Sequence, residues 1–476
     1  MPHGPPTAST LAELRAVVGA AGRLETPADT APFVEDFRRL YRGATPLVLL
    51  PSSVEEVARI LAICQRDGVA VVPQGGNTGY SGGATPDRDG TQVVVALRRM
   101  NRIREVDPAN YSMIVEAGCT LAAAQAAARG ADRLFPLSLG SEGSAQIGGN
   151  LSTNAGGTAV LRYGMMRDLT LGLEVVLADG RILRTLHPLR KDNTGYDVKA
   201  LFIGAEGTLG VITAAALKLF ALPADTATAL AGVVTPAAAL ALLVRLRDTF
   251  GEEISSFELM PRRAVELTVR YIDGVANPLA ADDSPWFVLV EVGAARAVAD
   301  PAVRLAEALA SAAEPGLVAG ALLASSSAQA AAIWKLRESV PEAQQRHGAS
   351  LKHDLSVPLA AVPRLIELGT ALIERSVPEG ETIAYGHAGD GNLHFNVSQK
   401  PGADRAAFLA RQASLQDAMF DLVATLGGSF SAEHGIGRFK VAELERRTDP
   451  VELALMRELK RALDPKGIMN PGKVLR

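Results

Sequence analysis

The stretch Tyr385–Asn396 has the sequence YGHAGDGNLHFN and carries two histidines, His387 and His394. On one continuous strand, side chains seven positions apart would point to opposite faces. The run Gly389–Asn392, GDGN, predicts a break in that strand, because Asp-Gly is a strong turn signal. We therefore predict a chain reversal that can bring both imidazoles to one point.

A second short run, Ser431–Gly437, has the sequence SAEHGIG and places Glu433 beside His434. The chain has seven histidines, and three of them fall in these two runs. Two imidazole nitrogens and one carboxylate oxygen form the ligand set of a catalytic zinc-like site that keeps one position open. The alternative is that these are hydrogen-bonded histidines in polar turns, which is the commoner situation for a single histidine. The occurrence of all these residues in two glycine-rich runs favours a metal site.

The composition is that of a globular protein. The chain has 476 residues, with 48% hydrophobic and 21% charged residues, and this length predicts two or three domains. Its net charge of −4 argues against nucleic-acid binding.

Cysteine content and hydropathy give expectations about location. The only cysteines, Cys64 and Cys119, form no CxxC motif, which suits a reducing compartment. The first residues, MPHGPPTASTLAELRAVVG, lack the pattern of a secretory signal. No run of about 18 strongly apolar residues predicts a membrane span. We therefore expect a cytoplasmic protein.

The first half of the chain alternates between strand and helix patterns. Strands are predicted at 47–50, 69–73 and 91–97. Between the first two, Ser52 and Glu55 have the spacing of a capping box, and a helical apolar pattern follows them. This alternation indicates an α/β arrangement.

Four glycine-rich segments lie between residues 75 and 213. They are Gly75–Gly83 (GGNTGYSGG), Pro136–Ser144 (PLSLGSEGS), Ile147–Gly157 (IGGNLSTNAGG) and Gly204–Thr213 (GAEGTLGVIT). Dense glycines usually mark places where the backbone closely approaches something, and exposed N–H groups in such loops can hold phosphate. Ordinary turns in a β-rich domain are the alternative for any one loop. Together the four favour a large cofactor that contains phosphate. The dinucleotide fingerprint GxGxxG and the Walker A motif are both absent.

After Pro223 the chain becomes alanine-rich. Helices are predicted near 235–249 and 301–313, and strands near 287–292 and 317–323, which indicates a smaller α+β domain. A last helix is predicted at 451–463, ending near Asp464 and Pro465.

These motifs together resemble a known flavoprotein family. The segments PQGGNTGYSGG, IGGNLSTNAGG, NTGYDVKALFIGAEGTLGVIT, GHAGDGNLHFN, SAEHGIG and LDPKGIMNPGK resemble those of FAD-dependent D-2-hydroxy-acid dehydrogenases of the vanillyl-alcohol-oxidase/PCMH superfamily. The likeness is greatest to D-2-hydroxyglutarate and D-lactate dehydrogenases. It implies an α+β fold with a PCMH-type FAD-binding domain of two α/β subdomains (1–223) and an α+β cap, or substrate, domain (224–420). A C-terminal helical segment (421–476) would return to the flavin.

The resemblance also implies site residues. A divalent metal, usually zinc, would be bound by His387, His394 and Glu433, with His434 as the general base. Substrate contacts would be Arg337, Lys352 and Asn396. The implied FAD-binding residues are Pro73, Gly75, Gly76, Asn77, Thr78, Gly79, Gly140, Ser141, Gly148, Gly149, Asn150, Ser152, Thr153, Asn154, Gly156, Gly207, Gly210, Ile212 and Asn470.

Two positions depart from patterns seen among relatives. Asn77 lies where some relatives carry a histidine bonded covalently to the flavin, so a non-covalent FAD is expected. Pro341 replaces a hydroxyl residue found in some hydroxyglutarate enzymes four places after the arginine, which weakens the assignment of the exact substrate.

The implied reaction is oxidation of a D-2-hydroxy acid to the 2-oxo acid. The metal would polarise the hydroxyl, His434 would take its proton, and the α-hydrogen would leave as hydride to flavin N5. D-2-hydroxyglutarate is the preferred substrate, because two cations, Arg337 and Lys352, exceed what a monocarboxylate requires. D-lactate, or a broad range of D-2-hydroxy acids, is the alternative.

The expected partners are the substrate and an electron acceptor, either an electron-transfer flavoprotein or a quinone-linked protein. A homodimer is also expected.

Two other functional classes stay open at this stage. A metal hydrolase would lack a flavin absorption band. A non-catalytic flavoprotein subunit would not reduce its own flavin with a hydroxy acid.

Overall fold

The computed structural model describes residues 4–294 and 300–476. The chain divides into two compact units. Unit 1 consists of Met1–Gly157, Gly164–Leu222 and Glu433–Arg476. Unit 2 consists of Thr158–Tyr163 and Pro223–Ala432.

The helices account for the Ala-rich and amphipathic segments. They are α1 Ala8–Val18, α2 Pro27–Val34, α3 Val54–Asp67, α4 Leu121–Gly130, α5 Ile147–Ser152, α6 Val160–Tyr163, α7 Pro236–Phe250, α8 Arg262–Tyr271, α9 Pro301–Ala313, α10 Ser327–Glu338, α11 Val340–His347, α12 Val362–Ser376, α13 Arg405–Ala410, α14 Gln412–Thr425, α15 Val441–Arg447 and α16 Pro450–Leu463. Short 3₁₀ turns lie at Ala20–Gly22, Val198–Leu201, Gly251–Glu253 and Leu359–Ala361. Within the described residues, no helix has both the length and the apolar character needed to cross a membrane.

The strands are more numerous and mostly short. They are β1 Arg23–Leu24, β2 Val48–Leu49, β3 Val71–Gln74, β4 Val93–Ala96, β5 Ile103–Asp107, β6 Ser112–Glu116, β7 Arg133–Leu134, β8 Thr170–Val176, β9 Ile182–Thr185, β10 Val211–Lys218, β11 Phe220–Ala221, β12 Asp225–Val233, β13 Ile254–Pro261, β14 Trp286–Ala294, β15 Val318–Leu323, β16 Ser350–Leu351, β17 Asp354–Ser356, β18 Gly380–Tyr385 and β19 Asn392–Gln399.

Unit 1 contains two larger sheets and a two-stranded pair formed by β7 and β11. The first has the order β1-β2-β4-β3, and β2 and β3 both run parallel to β4. Helix α3 connects β2 to β3, which confirms the predicted α/β alternation. The second sheet, β5-β6-β10-β8-β9, is antiparallel throughout.

The cap of α3 lies one residue later than the sequence prediction. Ser53, not Ser52, is the N-cap, and its side chain accepts a hydrogen bond from the Glu56 backbone N–H. The Glu56 carboxylate in turn accepts hydrogen bonds from the backbone N–H and the hydroxyl of Ser52. Both serines are used, so the pattern identified the helix start but not the register of its cap.

The last segment of the chain belongs to unit 1. After α16, the backbone N–H of Val71 on β3 donates to the Ile468 carbonyl at 2.8 Å, and the Asn470 N–H donates to the Val71 carbonyl at 2.8 Å. Ile468 and Met469 are fully buried in the core of unit 1. The C-terminal residues therefore cover the edge of a sheet that is formed near the start of the chain.

Unit 2 also contains two sheets, and both are antiparallel. The first has the order β13-β14-β12-β15, with α7 and α9 packed on it through a large apolar core. In the second, β19 pairs with β16, β17 and β18. The predicted helices and strands between 224 and 330 are all present, so the prediction of an α+β domain is confirmed.

Candidate active site

The predicted reversal in YGHAGDGNLHFN is an antiparallel hairpin between β18 and β19. Tyr385 at the end of β18 pairs with His394 on β19, and His387 lies in the connecting turn. The rings of His387 and His394 have centroids 5.5 Å apart and planes at 78° to each other. The hairpin therefore does bring the two imidazoles together, as the Asp-Gly signal indicated.

Glu258 on β13 contacts this hairpin and was not identified from the sequence. Its side chain is 1% exposed, and Oε1 lies 2.6 Å from His387 Nδ1. Burial opposes ionisation of this carboxyl, but His387 and Arg337 outweigh it and lower the pKa of Glu258 to about 2. An ionised carboxylate can only accept, so Nδ1 of His387 carries the hydrogen. The one sequence signal was a lone acidic residue inside the apolar run FELMP.

Arg337, near the end of α10, is bonded to the same carboxylate. Its Nε and Nη2 both lie 2.7 Å from Glu258 Oε2, and its side chain is 7% exposed. The guanidinium carbon also lies 4.9 Å from the centroid of the Tyr385 ring. The positive charge of Arg337 is thus already compensated inside unit 2, which removes part of the surplus of cations inferred from the sequence.

His394 lies between two other strands of its sheet. It pairs with Asp354 on β17, and its Nδ1 is 3.9 Å from Asp354 Oδ1. The Asn392 side chain donates to that same carboxylate oxygen at 3.0 Å. The Tyr385 ring centroid is 5.2 Å from that of His394. Imidazole nitrogens and carboxylate oxygens are the donor types that zinc prefers, so the side chains in this part of unit 2 fit such an ion in donor type.

The other predicted substrate residues lie on nearby elements of unit 2. Asn396 lies two residues after His394 on β19, so it shares that face of the sheet. It is buried and donates to the side-chain oxygen of Gln344 at 2.9 Å. Lys352 is half-buried and follows β16, and Pro341 lies in the first turn of α11.

In unit 1, His434 is held by residues from the first glycine loop. The Tyr80 ring stacks on its imidazole, with centroids 4.6 Å apart and planes 14° apart. The Ser81 hydroxyl lies 3.0 Å from the carbonyl oxygen of His434 and 3.2 Å from that of Gly435. Glu433 Oε1 is 3.8 Å from His434 Nε2. Both the ring and the backbone of His434 are therefore positioned.

Glu206 fixes the loop that follows His434. Its two carboxylate oxygens accept hydrogen bonds from the backbone N–H groups of Ile436 and Gly437 at 2.7 and 2.8 Å. Burial raises the pKa of Glu206, and these two hydrogen bonds partly offset that effect. The segment GAEGTLG was recognised in the sequence, but the role of its acidic residue was not.

The glycine-rich segments converge in unit 1. A Cβ on Gly76 would lie 2.0 Å from the Ser144 carbonyl oxygen, and one on Gly207 would lie 3.0 Å from a ring carbon of Pro73. A Cβ on Gly75 would be in ordinary contact with the backbone of Gly149, 3.4 Å from its N atom. Gly76 and Gly207 are needed because the loops approach each other too closely there for side chains.

The remaining predicted cofactor residues belong to the same group of loops. The backbone N–H of Glu206 donates to the Ser152 carbonyl at 2.8 Å, and the Asn470 side chain donates to the carbonyls of Glu206 and Gly83. The others lie on or beside these segments: Thr78 and Gly79 after β3; Gly140 and Ser141 before α5; Gly148 and Asn150 in α5; Thr153, Asn154 and Gly156 after it; and Gly210 and Ile212 at the start of β10.

The side chains in these loops fit a large polar cofactor. Within the described part of the chain, Gln146 Oε1 and Asn150 Oδ1 are buried and have no hydrogen-bond partner. Gly79, Gly140 and Gly149 have no described protein atom within 4 Å of a Cβ position, so packing within the protein does not explain them. Unpaired buried acceptors beside open glycine backbone are expected where a ligand supplies the missing contacts.

The side chain of Asn77 is turned towards the protein. Its backbone is left-handed, with φ of 54°, and its amide donates to the carbonyls of Glu35 and Pro32 at 2.8 and 3.3 Å. An amide also offers no nucleophile for a covalent link to a cofactor.

Family models match both parts of the chain. A model described as FAD binding domain matches residues 45–186, and one described as FAD linked oxidases, C-terminal domain, matches residues 222–474. Among solved structures, p-cresol methylhydroxylase with substrate bound has a TM-score of 0.76 at 16% identity, covering 98% of this chain and 96% of that one. The fold is that of the PCMH-type FAD-binding oxidoreductases, as predicted.

Curated relatives narrow the class. The chain is 41% identical over 467 residues to the D-2-hydroxyglutarate dehydrogenase, mitochondrial, of Bos taurus, covering 98% of this chain and 83% of that protein. It is 38% identical over 461 residues to the probable D-2-hydroxyglutarate dehydrogenase, mitochondrial, of Oryza sativa subsp. japonica, covering 97% and 80%. The chain therefore belongs to the FAD-linked D-2-hydroxy-acid dehydrogenases, in the family of the D-2-hydroxyglutarate dehydrogenases.

The prediction of a cytoplasmic location is wrong. The relatives from cattle and rice are both named as mitochondrial, which points to mitochondria rather than cytoplasm. Cys64 and Cys119 are buried and form no disulfide. The cysteine pattern used for the prediction does not distinguish one reducing compartment from another.

Proposed function

We propose that the protein oxidises D-2-hydroxyglutarate to 2-oxoglutarate with FAD and a divalent metal, zinc being the expected ion. The observation that carries this proposal is the hairpin that places the His387 and His394 rings 5.5 Å apart in a chain of this family. A pair of imidazoles beside carboxylates suits a divalent metal, and a 2-hydroxy acid could chelate that metal through its carboxylate and neighbouring hydroxyl.

The proposed metal ligands are His387, His394 and Glu433. His387 is supported by Glu258, since metal-binding histidines usually donate their other N–H to a carboxylate or carbonyl. Glu433 directly follows Ala432, whose backbone N–H donates to the Asp354 carbonyl at 3.4 Å. A bound metal would supply polarisation of the substrate hydroxyl.

His434 is the proposed base. It would take the hydroxyl proton as the α-carbon loses a hydride, so the C–H and O–H bonds break and a C=O bond forms. Bound FAD supplies the hydride acceptor. A neutral imidazole is suited to this task near pH 7. Tyr80, Ser81 and Glu206 would hold it in place.

Lys352, Arg337 and Asn396 are the proposed substrate contacts. The pairing of Arg337 with Glu258 favours a second candidate, D-lactate or a broad range of D-2-hydroxy acids. A monocarboxylate needs fewer cations, so Lys352 alone would be sufficient for it. With D-2-hydroxyglutarate as substrate, both Arg337 and Lys352 would contact it, whereas with D-lactate only one of them would be needed.

The proposal also assigns roles to segments and partners. Residues 1–223 would bind a dissociable FAD, 224–420 would provide the substrate side, and 421–476 would complete the active site. The reduced flavin would pass its electrons to an electron-transfer flavoprotein or a quinone-linked acceptor. A homodimer is the expected assembly.

The test is anaerobic flavin bleaching with D- and L-2-hydroxy acids. We expect D-2-hydroxyglutarate to give the highest kcat/KM, ahead of D-malate, D-lactate and D-2-hydroxybutyrate, with L-enantiomers inactive. A higher kcat/KM for D-lactate would replace the first candidate with the second. Failure of every hydroxy acid to bleach the flavin would reject both.

Variants of the two cations refine this test. Lys352→Ala and Arg337→Ala should raise the KM for D-2-hydroxyglutarate more than that for D-lactate if each cation contacts the distal carboxylate. Equal losses on both substrates for Arg337→Ala would mean that this residue does not read the distal carboxylate.

A further inference from the structure

We propose that Glu258 is a positioning residue for the metal site, and that Arg337 has a second role in holding Glu258 in place. The inference rests on the proposed function, because it takes His387 as a metal ligand. Glu258 lies outside the motifs quoted from the sequence, and its proposed role is to orient the imidazole of His387.

The two oxygens of Glu258 have different partners. Oε1 lies 2.6 Å from His387 Nδ1, and Oε2 lies 2.7 Å from both Nε and Nη2 of Arg337. A carboxylate held at both oxygens cannot rotate without losing a charged hydrogen bond. The Glu258 side chain is 1% exposed, so it has almost no contact with bulk solvent.

This contact determines which nitrogen of His387 faces a metal. A neutral imidazole carries hydrogen on one nitrogen and a lone pair on the other. Because Glu258 accepts at Nδ1, the lone pair lies on Nε2. The carboxylate also makes the imidazole a stronger electron donor, which strengthens metal binding.

The backbone fixes the same relationship. Leu259, next to Glu258, exchanges two hydrogen bonds with Gly386, next to His387: one N–H donates at 2.9 Å and the other at 3.0 Å. The Gly389 N–H also donates to the Phe257 carbonyl at 3.2 Å. The turn that carries His387 is therefore attached to the strand that carries Glu258.

Arg337 makes the buried carboxylate tolerable. A buried carboxylate that loses a charged partner becomes strongly unfavourable. The Arg337 guanidinium supplies the opposite charge and lies over the Tyr385 ring, which also neighbours the His394 ring. The side chains of Glu258, Arg337, Tyr385, His394 and His387 thus form a closed circle of contacts.

The test measures Zn²⁺ affinity of metal-free, FAD-loaded protein by competition with a chromophoric chelator. Glu258→Gln should weaken Zn²⁺ binding by about 10- to 100-fold, as is typical when the carboxylate behind a ligating histidine is lost. Arg337→Lys keeps the charge and should stay much closer to wild type. Glu291→Gln is the matched control, because Glu291 accepts from Trp334 and Thr228 in the same unit and contacts no proposed ligand.

A double variant guards against misfolding. Glu258→Gln alone leaves Arg337 buried without its partner, so Glu258→Gln/Arg337→Met removes both charges at similar volume. It should melt near the wild-type temperature and still bind Zn²⁺ about 10- to 100-fold more weakly.

The outcomes separate this inference from the proposed function. If wild type binds Zn²⁺ and both Glu258 variants bind it within threefold of wild type, the inference is wrong and the proposed function stands. If wild-type protein with a normal flavin spectrum binds no metal, the metal assignment fails and this inference fails with it. If Glu291→Gln weakens binding as much as Glu258→Gln, the effect is not specific and the inference is again rejected.

Discussion

The ring of Tyr80 lies parallel to the imidazole of His434, with centroids 4.6 Å apart. Tyr80 belongs to the first glycine loop and His434 to the SAEHGIG motif, so two segments known only as separate motifs support one proposed base. A stacked neighbour restricts the tilt of an imidazole, and a hydrogen-transfer step depends on that orientation.

Replacing His434 with alanine should slow flavin reduction while leaving substrate binding nearly intact. Loss of a general base typically costs about 10²–10⁴-fold in rate. Stopped-flow reduction across substrate concentrations separates the limiting rate from the apparent Kd. Metal content should match wild type, since the ligand in this motif is proposed to be Glu433. A limiting rate within a few-fold of wild type would remove His434 from the mechanism.

Tyr80→Leu should lower the limiting rate of flavin reduction by about 10-fold, because an aromatic pair contributes roughly 0.5–1.5 kcal/mol and holds the imidazole plane. Tyr80→Phe keeps the ring and should behave like wild type. The pair of variants distinguishes stacking from a role of the phenol hydroxyl. Equal losses in both would assign the effect to the hydroxyl instead.

Removing the metal should abolish turnover and leave FAD bound. His387 and His394 lie in unit 2, whereas the glycine segments that fit FAD lie in unit 1. Protein treated with a chelator should keep its flavin absorption spectrum and recover activity when a divalent ion is added. Full activity in protein shown to be metal-free by elemental analysis contradicts the metal assignment.

Acid precipitation should release all of the flavin into the supernatant. The Asn77 side chain offers no nucleophile for a covalent link, and its amide is used in hydrogen bonds to the carbonyls of Glu35 and Pro32. Fluorescence of the redissolved, denatured polypeptide provides the measurement. Flavin fluorescence that stays with the chain after denaturing electrophoresis would show a covalent bond at another residue.

The sequence correctly predicted the turns and helices that depend on interactions between neighbouring residues. The Asp-Gly turn between His387 and His394 gave the hairpin, and apolar spacing gave α3, α7, α9 and α16 close to their observed bounds. The cap at Ser53 was missed by one residue, because two adjacent serines both have an acidic residue three positions later.

The site contacts that could not be predicted from the sequence join residues far apart in the chain. Glu258 reaches His387 across 129 positions, and Glu206 reaches Ile436 across 230. No spacing rule connects residues so far apart, and each is a single acidic residue among apolar or glycine neighbours. The same limitation affected Arg337: its residue type indicated a carboxylate partner, but not that the partner is within the protein.

The contact between β3 and residues 468–470 has a consequence for biosynthesis. β3 is an edge strand, and among the described residues its outer backbone groups at Val71 pair with Ile468 and Asn470, which are made almost 400 positions later. Until then a nascent chain presents an open sheet edge, the kind of surface on which strands of other chains can add. We expect ribosome-bound chains that stop before Ile468 to need a chaperone at this edge, and the finished chain to lose that need.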